Sequence, residues 1–153
     1  MNSSETDISL KPTAIFAFTK TLPLLLLSIV LLYMANRLWA DLIWLSLIAM
    51  AIMLYRYIAI RRITYLVTAQ YIRLSRGIFF KRIDTVELFR VKDYTVEEPF
   101  LLQIFKLMDV QLRTTDPENP VLWLRGIPQS DIIDTIRDRV LETRRRNPIY
   151  EIN

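Results

Sequence analysis

The stretch Thr21 to Ile60, TLPLLLLSIVLLYMANRLWADLIWLSLIAMAIMLYRYIAI, constrains the rest of the chain more than any other. Two long apolar runs flank a polar knuckle, Ala35 to Asp41. A bilayer core is about 30 Å thick, so a spanning helix needs about 20 mostly apolar residues. Arg37 is the only charge from Thr21 to Leu38, and Arg56 the only one from Leu42 to Ile60. Each lies near an end of its run, where a long cationic side chain reaches the headgroup layer. Trp39 and Trp44 at the knuckle, with Tyr55 and Tyr57 toward the other face, occupy interfacial positions for amphipathic rings. The expectation is two antiparallel spans, about 21–38 and 42–60, with Asn36 ending the first and Asp41 capping the second. A soluble hairpin of this length calls for a polar face, which neither run has. A cleaved signal peptide calls for small residues before the cut, and Arg37-Leu38-Trp39 supplies none.

Lys11 and Lys20 precede the first run, and Arg56, Arg61 and Arg62 close the second. The knuckle has Arg37 alone, so the cation bias puts both termini on the cytoplasmic side of the inner or cytoplasmic membrane.

Beyond Ile60 the chain changes character. Residues 61–153 hold 16 Lys/Arg and 13 Asp/Glu among 93 residues, enough for one small domain. Most of the excess positive charge sits in Arg61, Arg62 and Arg144 to Arg146, at the ends of that segment. A nucleic-acid surface needs a basic face across its body, and none is expected. The chain has no Cys and no His, which removes disulfides, thiol chemistry and imidazole acid–base work. No cofactor and no metal are expected.

The periodicity after Arg62 is two. Ile63 to Thr68 and Tyr71 to Arg76 read as strands joined by a tight turn at Ala69-Gln70, and Gly77 supplies a positive-φ turn. Phe79 to Asp84, Val86 to Leu88 and Val91 to Val96 continue an antiparallel meander. Phe100, Leu101, Ile104, Phe105 and Met108 have helical spacing after Pro99. Strands follow at Met108 to Thr114 and at Val121 to Arg125, with Trp123 as a core anchor and Gly126 as the stop. Pro128 to Arg146 is an amphipathic helix with the stripe Ile132, Ile133, Ile136, Val140, ended by Asn147-Pro148. Met1 to Leu10 reads as a loose polar lead, and Lys11 to Lys20 as an extension of the first helix or an interfacial segment. Pro23 suits the first turn of the span or a kink in it. The expected division is residues 1–20 as an N-terminal cytoplasmic segment, 21–60 as two spans, 61–146 as a β-rich domain and 147–153 as a tail.

Six or seven antiparallel strands and one C-terminal helix are the layout of a pleckstrin-homology (PH)-like barrel. The runs TYLVTAQYIRLSRGIFFKRIDTVELFRVKDYTVEE, FLLQIFKLMDVQLRTTD and GIPQSDIIDTIRDRV resemble the bacterial PH-domain family of membrane proteins. The resemblance rests on Tyr65, Val67, Thr68 and Ile72, on Gly77, and on Leu88, Val91, Asp93 and Tyr94. It covers about Leu22 to Val140 and includes the pair of apolar helices. It implies a membrane helical hairpin followed by a mostly-β PH-like barrel, and a location more than a mechanism.

The candidate contact residues are mostly cationic. Arg56, Arg61 and Arg62 suit anionic headgroups, at about 1 kcal/mol per basic residue near such a surface, and an ordinary topology signal explains the same residues. Arg73, Arg76, Lys81 and Arg82 lie on the second and third strands, and Arg73 resembles a position near the first strand pair where phosphoinositide-binding PH domains carry basic groups. The turn Thr68 to Tyr71 has no Lys or Arg, which favours a solvated strand face. Arg144, Arg145 and Arg146 read as a solvated helix end, or as a contact for the membrane or an acidic partner. Glu97-Glu98 and the set Asp131, Asp134, Asp138 read as wet surface rather than a catalytic or metal site. Phe100, Leu101 and Phe105 read as a core lid or as an exposed patch that grips a partner. The sequence thus predicts no enzyme but a membrane-anchored module that mediates protein–protein contacts or oligomerisation. Binding of anionic lipid and service as an accessory subunit of a transporter or envelope complex are the alternatives.

Overall fold

The computed structural model describes residues 7–146 of the chain. The expected loose lead Met1 to Thr6, the helix stop at Asn147-Pro148 and the tail 147–153 lie outside the described residues, as does the side chain of Arg146.

Thr13 begins the first long helix. Its hydroxyl accepts from the Phe16 amide at 3.2 Å, the usual side-chain cap for an orphan N–H. Helix α1 then runs Ala14–Arg37, with Pro23 in its interior, and α2 runs Leu42–Arg61. At about 1.5 Å per residue these helices are about 36 Å and 30 Å long. Lys11 to Lys20 thus mostly joins the helix instead of lying apart from it. Asn36 does not end α1, whose cap is Leu38, and the Asp41 side chain makes no capping bond. The knuckle satisfies its own amides through backbone: Leu42 donates to Trp39 and Ile43 to Ala40, both at 3.1 Å. Small residues let the helices close. Ser28, Ser46 and Ala49 are buried, and the Ser46 hydroxyl donates across the pair to the Ser28 carbonyl at 2.8 Å. Apart from Phe16 and Ala17 at the base of α1, most apolar side chains of the pair point outward, Leu26, Val30, Leu45 and Leu47 each about half exposed.

The β-domain that follows is built from two antiparallel sheets. Strands β2 (Thr64–Val67), β3 (Tyr71–Arg76) and β4 (Arg82–Glu87) form a meander, and β5 (Val91–Glu97), β6 (Leu107–Thr114) and β7 (Val121–Pro128) form a second. Helix α4 (Ile132–Arg146) packs across them. Alternation decides what faces in: Tyr65 and Val67, Ile72 and Leu74, Val110 and Leu112, Leu122 and Leu124 meet Ile132, Ile136 and Val140 in one core. The C-terminal half of α4 is stitched to the β2–β3 turn. Arg139 donates to the Val67 carbonyl at 2.9 Å and Thr143 to the Ala69 carbonyl at 3.1 Å.

The first sheet has a fourth strand that the reading of Met1 to Leu10 as loose did not anticipate. Strand β1 (Ile8–Leu10) pairs antiparallel with β2, Ile8 opposite Val67 and Leu10 opposite Tyr65. Ile8 and Leu10 pack on the core, so the apolar–polar–apolar triplet covers an otherwise bare β2 edge. The two apolar helices are therefore an insertion between the first and second strands of the barrel.

Five further expectations change. Phe79 and Phe80 belong to the β3–β4 turn, not to a strand, and Arg82 to Glu87 form one continuous strand. The run Leu88–Arg90 is a 3-10 turn. The helix after Pro99, α3, is only Phe100–Ile104, and Met108 belongs to β6 with its side chain in the core. Strand β7 continues through Gly126 to Pro128, so Pro128 ends a strand and does not open a helix. Trp123 is not a core anchor: Leu122 and Leu124 take the inward phase, and Trp123 lies on the outer side under Arg125, whose guanidinium carbon is 4.7 Å from the ring centre.

Candidate functional site

The register fixes which residues stand near the helical hairpin. Strand β2 starts at Thr64, directly after the α2 cap at Arg62, and Thr64 pairs with Ser75 at the far end of β3. The β3–β4 turn, residues 77–81, is thus carried to the level of Arg61 and Arg62. In the second sheet the Leu107–Pro128 end does the same, because Gly126 receives the base of α1. The Thr13 amide donates to the Gly126 carbonyl at 2.9 Å, and the Gly126 amide donates to the buried Asp109 carboxylate at 2.6 Å. Phe16, Leu102 and Leu107 form a small buried cluster with Ile60 against it, which ties both helices and α3 to the barrel. We call this junction the neck.

Two clefts open at the neck, and both are cationic. The first, about 420 Å3, is lined by Lys11, Arg61, Arg62, Arg76 and Lys81 together with the turn backbone at Gly77 and Ile78. No Asp or Glu lines it. Arg61 is positioned by donating to the Pro12 carbonyl at 2.8 Å. Arg76 is held from outside the cleft by Asp84, at 3.2 Å, and Arg82 reaches the same carboxylate at 2.8 Å. Asp84 is buried, so the two arginines supply the charge its position requires. The second cleft, about 480 Å3, lies between the helices and β7, with Lys20, Arg56 and Arg125 among apolar walls that include Phe16, Ile60 and Tyr65. Tyr65 accepts from the Arg125 amide at 3.0 Å, and burial raises its phenol above the ordinary value of 10.0, so the ring stays neutral there.

The structure brings together Arg61, Arg62, Arg76 and Lys81 from the predicted set and adds Lys11. Arg56 joins Lys20 and Arg125 on the second cleft. Arg73 lies mid-strand, its guanidinium 5.0 Å from the Tyr71 ring centre, and its buried Nε has no hydrogen-bond partner among the described residues. Arg82 serves Asp84. Arg144 donates to the Val91 carbonyl, and the α4 end that carries Arg144 and Arg145 packs at the β2–β3 turn, the barrel end remote from the neck. Trp39 and Trp44 are exposed at the opposite end of the hairpin. Phe100 (75% exposed) and Leu101 on α3, and Phe105 at its cap, stand exposed beside the neck, while Leu102 of the same helix is buried. Glu97 and the Asp131, Asp134 and Asp138 set are surface groups, and no cluster of three or more His, Cys, Asp or Glu gathers among the described residues.

The turn at Gly77 stands where the sequence puts it, but its extension through Phe79 and Phe80 was not read from the sequence. Gly77 has φ of 115°, and a Cβ there would fall 1.9 Å from the Phe80 carbonyl oxygen. The chain folds back over Gly77 and turns Phe79 and Phe80 outward, 82% and 92% exposed. A glycine followed by Ile-Phe-Phe-Lys, with cations on both flanks, was the available signal.

A family model described as Bacterial PH domain matches residues 13–142. The chain belongs to that family. The match to the Bacterial PH domain takes in the hairpin, the neck and most of the barrel; β1 lies just outside it. Comparison with curated proteins and with solved structures finds no match. PH domains as a class are binding modules, so membership supports a binding or assembly role.

Proposed function

We propose that the chain is an integral membrane protein with two spans, α1 and α2, both termini on the cytoplasmic side, and a PH-like barrel held against the bilayer surface. It acts by binding, not by catalysis. The spans are about 21–38 and 42–60, with α1 emerging from the bilayer near Lys20 and carried on by Ala14 to Thr19 into the neck. Two observations support the anchoring: both helices are long and apolar enough to cross a bilayer, and their outward faces are apolar all round. The observation that carries the binding reading is the charge of the neck. Lys11, Arg61, Arg62, Arg76 and Lys81 on one side, and Lys20, Arg56 and Arg125 on the other, line clefts with no acidic wall. At the cytoplasmic face such clefts attract anionic headgroups.

Two measurements on the full chain test this reading. Alkaline carbonate should leave the protein in the membrane pellet, and release into the supernatant would contradict anchoring. Spin-labelled phosphatidylglycerol should show a larger immobilised fraction around the reconstituted protein than spin-labelled phosphatidylcholine, and the excess should fall with salt. Equal fractions would contradict headgroup selection.

A second reading, assembly with a protein partner or a second copy, is favoured by the apolar outer face of α3. Disulfide cross-linking between chains carrying Leu101→Cys tests it.

A further inference from the structure

We infer that the β3–β4 turn is a membrane wedge: Phe79 and Phe80 enter the bilayer interface while a lipid phosphate occupies the cationic cleft directly behind them. This inference rests on the anchored reading and names the ligand and the contact.

The turn is unusual for an exposed hairpin tip, where Gly, Asn, Asp and Ser are the ordinary residues. Here the tip residues are Ile78, Phe79 and Phe80, and the two phenylalanines are among the most exposed large apolar side chains in the described structure. Their exposure does not come from a loose segment. Gly77 fixes the turn by its positive φ, and the Arg76–Asp84–Arg82 contacts close the strands just behind it. A rigid turn that presents two aromatic rings outward is built to meet an apolar phase.

Position and charge select lipid as that phase. Ser75 pairs with Thr64, three residues after the end of α2, so the tip stands beside the point where the helix leaves the bilayer. The flanking residues Arg76, Lys81 and Arg82 are all cationic, and Gly77, Ile78 and Lys81 share one cleft with Lys11, Arg61 and Arg62. Aromatic rings beside a cluster of Lys and Arg match the layering of a leaflet, with apolar groups deeper and phosphates outside. A protein partner would need acidic groups matched to the cleft and apolar groups matched to the rings. An anionic leaflet offers both in that order.

The test uses the full chain in vesicles. The protein has no cysteine, so Phe80→Cys and Glu118→Cys each create a single site for an environment-sensitive fluorophore. Position 118 lies in the β6–β7 turn, at the barrel end away from the neck. In vesicles containing phosphatidylglycerol, lipids with a nitroxide on the acyl chain should quench the label at 80 several-fold more strongly than the label at 118. The difference should shrink in phosphatidylcholine alone and in an Arg62→Glu/Lys81→Glu background, both exposed positions. Inorganic phosphate in solution should not release the label. Equal quenching at 80 and 118 overturns insertion. Quenching indifferent to lipid charge and to the charge reversals, or release by inorganic phosphate, overturns the headgroup contact. A failure of either kind leaves carbonate resistance unchanged and is thereby distinct from a failure of anchoring.

Discussion

Phe16 and Gly126 meet so closely that no side chain fits at the second position: a Cβ on Gly126 would stand 2.1 Å from Phe16 Cγ. The contact joins the first turn of α1 to the last barrel strand, and the Thr13–Gly126 and Gly126–Asp109 hydrogen bonds reinforce it. The barrel is therefore not a bead on a flexible linker. Gly126→Ala combines a left-handed backbone, about 1–2 kcal/mol, with overpacking against Phe16, about 1–3 kcal/mol. We predict destabilisation by about 2–5 kcal/mol, read as a lower unfolding midpoint of the reconstituted protein. A parental midpoint would show that the seam is slack.

Strand β1 carries a second prediction. Replacing Ile8 and Leu10 together by Asp removes two partly buried contacts and uncovers the β2 edge. The cost should be about 2–4 kcal/mol, and limited proteolysis should open sites between Thr64 and Arg76. A fragment that begins at Arg61 should behave the same way, because it lacks the strand. Protection of either species would mean that β1 is dispensable.

Asp84 holds two arginines from a buried position. Asp84→Ala leaves both guanidinium groups without this partner, though Arg76 is about half exposed and Arg82 mostly exposed, so both regain water. We expect a loss of about 1–3 kcal/mol and faster hydrogen exchange across residues 76–82. Unchanged exchange would show that the turn is rigid without the pair.

Tyr65 gives a pH dependence. Burial raises its phenol above 10.0, so the folded state holds the proton more tightly than the unfolded chain. The stability this contributes is whole below pH 10.0 and is lost as pH rises from there through the folded value. Unfolding midpoints of the parent should fall more steeply above that pH than those of Tyr65→Phe. Phenylalanine itself costs about 1 kcal/mol at neutral pH, since the Arg125 amide loses its acceptor. Parallel curves would contradict the assignment.

Much of this architecture was legible from the residues. Two apolar runs, alternating strands and a striped helix have strong periods, and Tyr65, Ile72, Val110 and Ile136 face where their period puts them. What was hidden depends on pairing. Ile8 and Leu10 are too few to show a period, and their partners lie more than fifty residues away. Val121 to Leu124 is apolar at every position, so alternation could not say that Trp123 faces out; the register shift between Met108 and Val110 helps decide it. Phe79 and Phe80 are good strand formers that Gly77 turns into a tip. The neck clefts were half visible. Their arginines stood out as charge, but only the β2–β3 register brings Arg76 and Lys81 beside Arg61 and Lys11.

On the proposed reading the hairpin crosses the bilayer, so its knuckle and the barrel lie on opposite sides. Single cysteines at Ala40, in the knuckle, and at Glu118, on the barrel, test it with a membrane-impermeant maleimide on intact cells and on inverted vesicles. The account predicts that position 40 reacts only from outside and position 118 only from the cytoplasmic side. Labelling of both positions from the same side would contradict it.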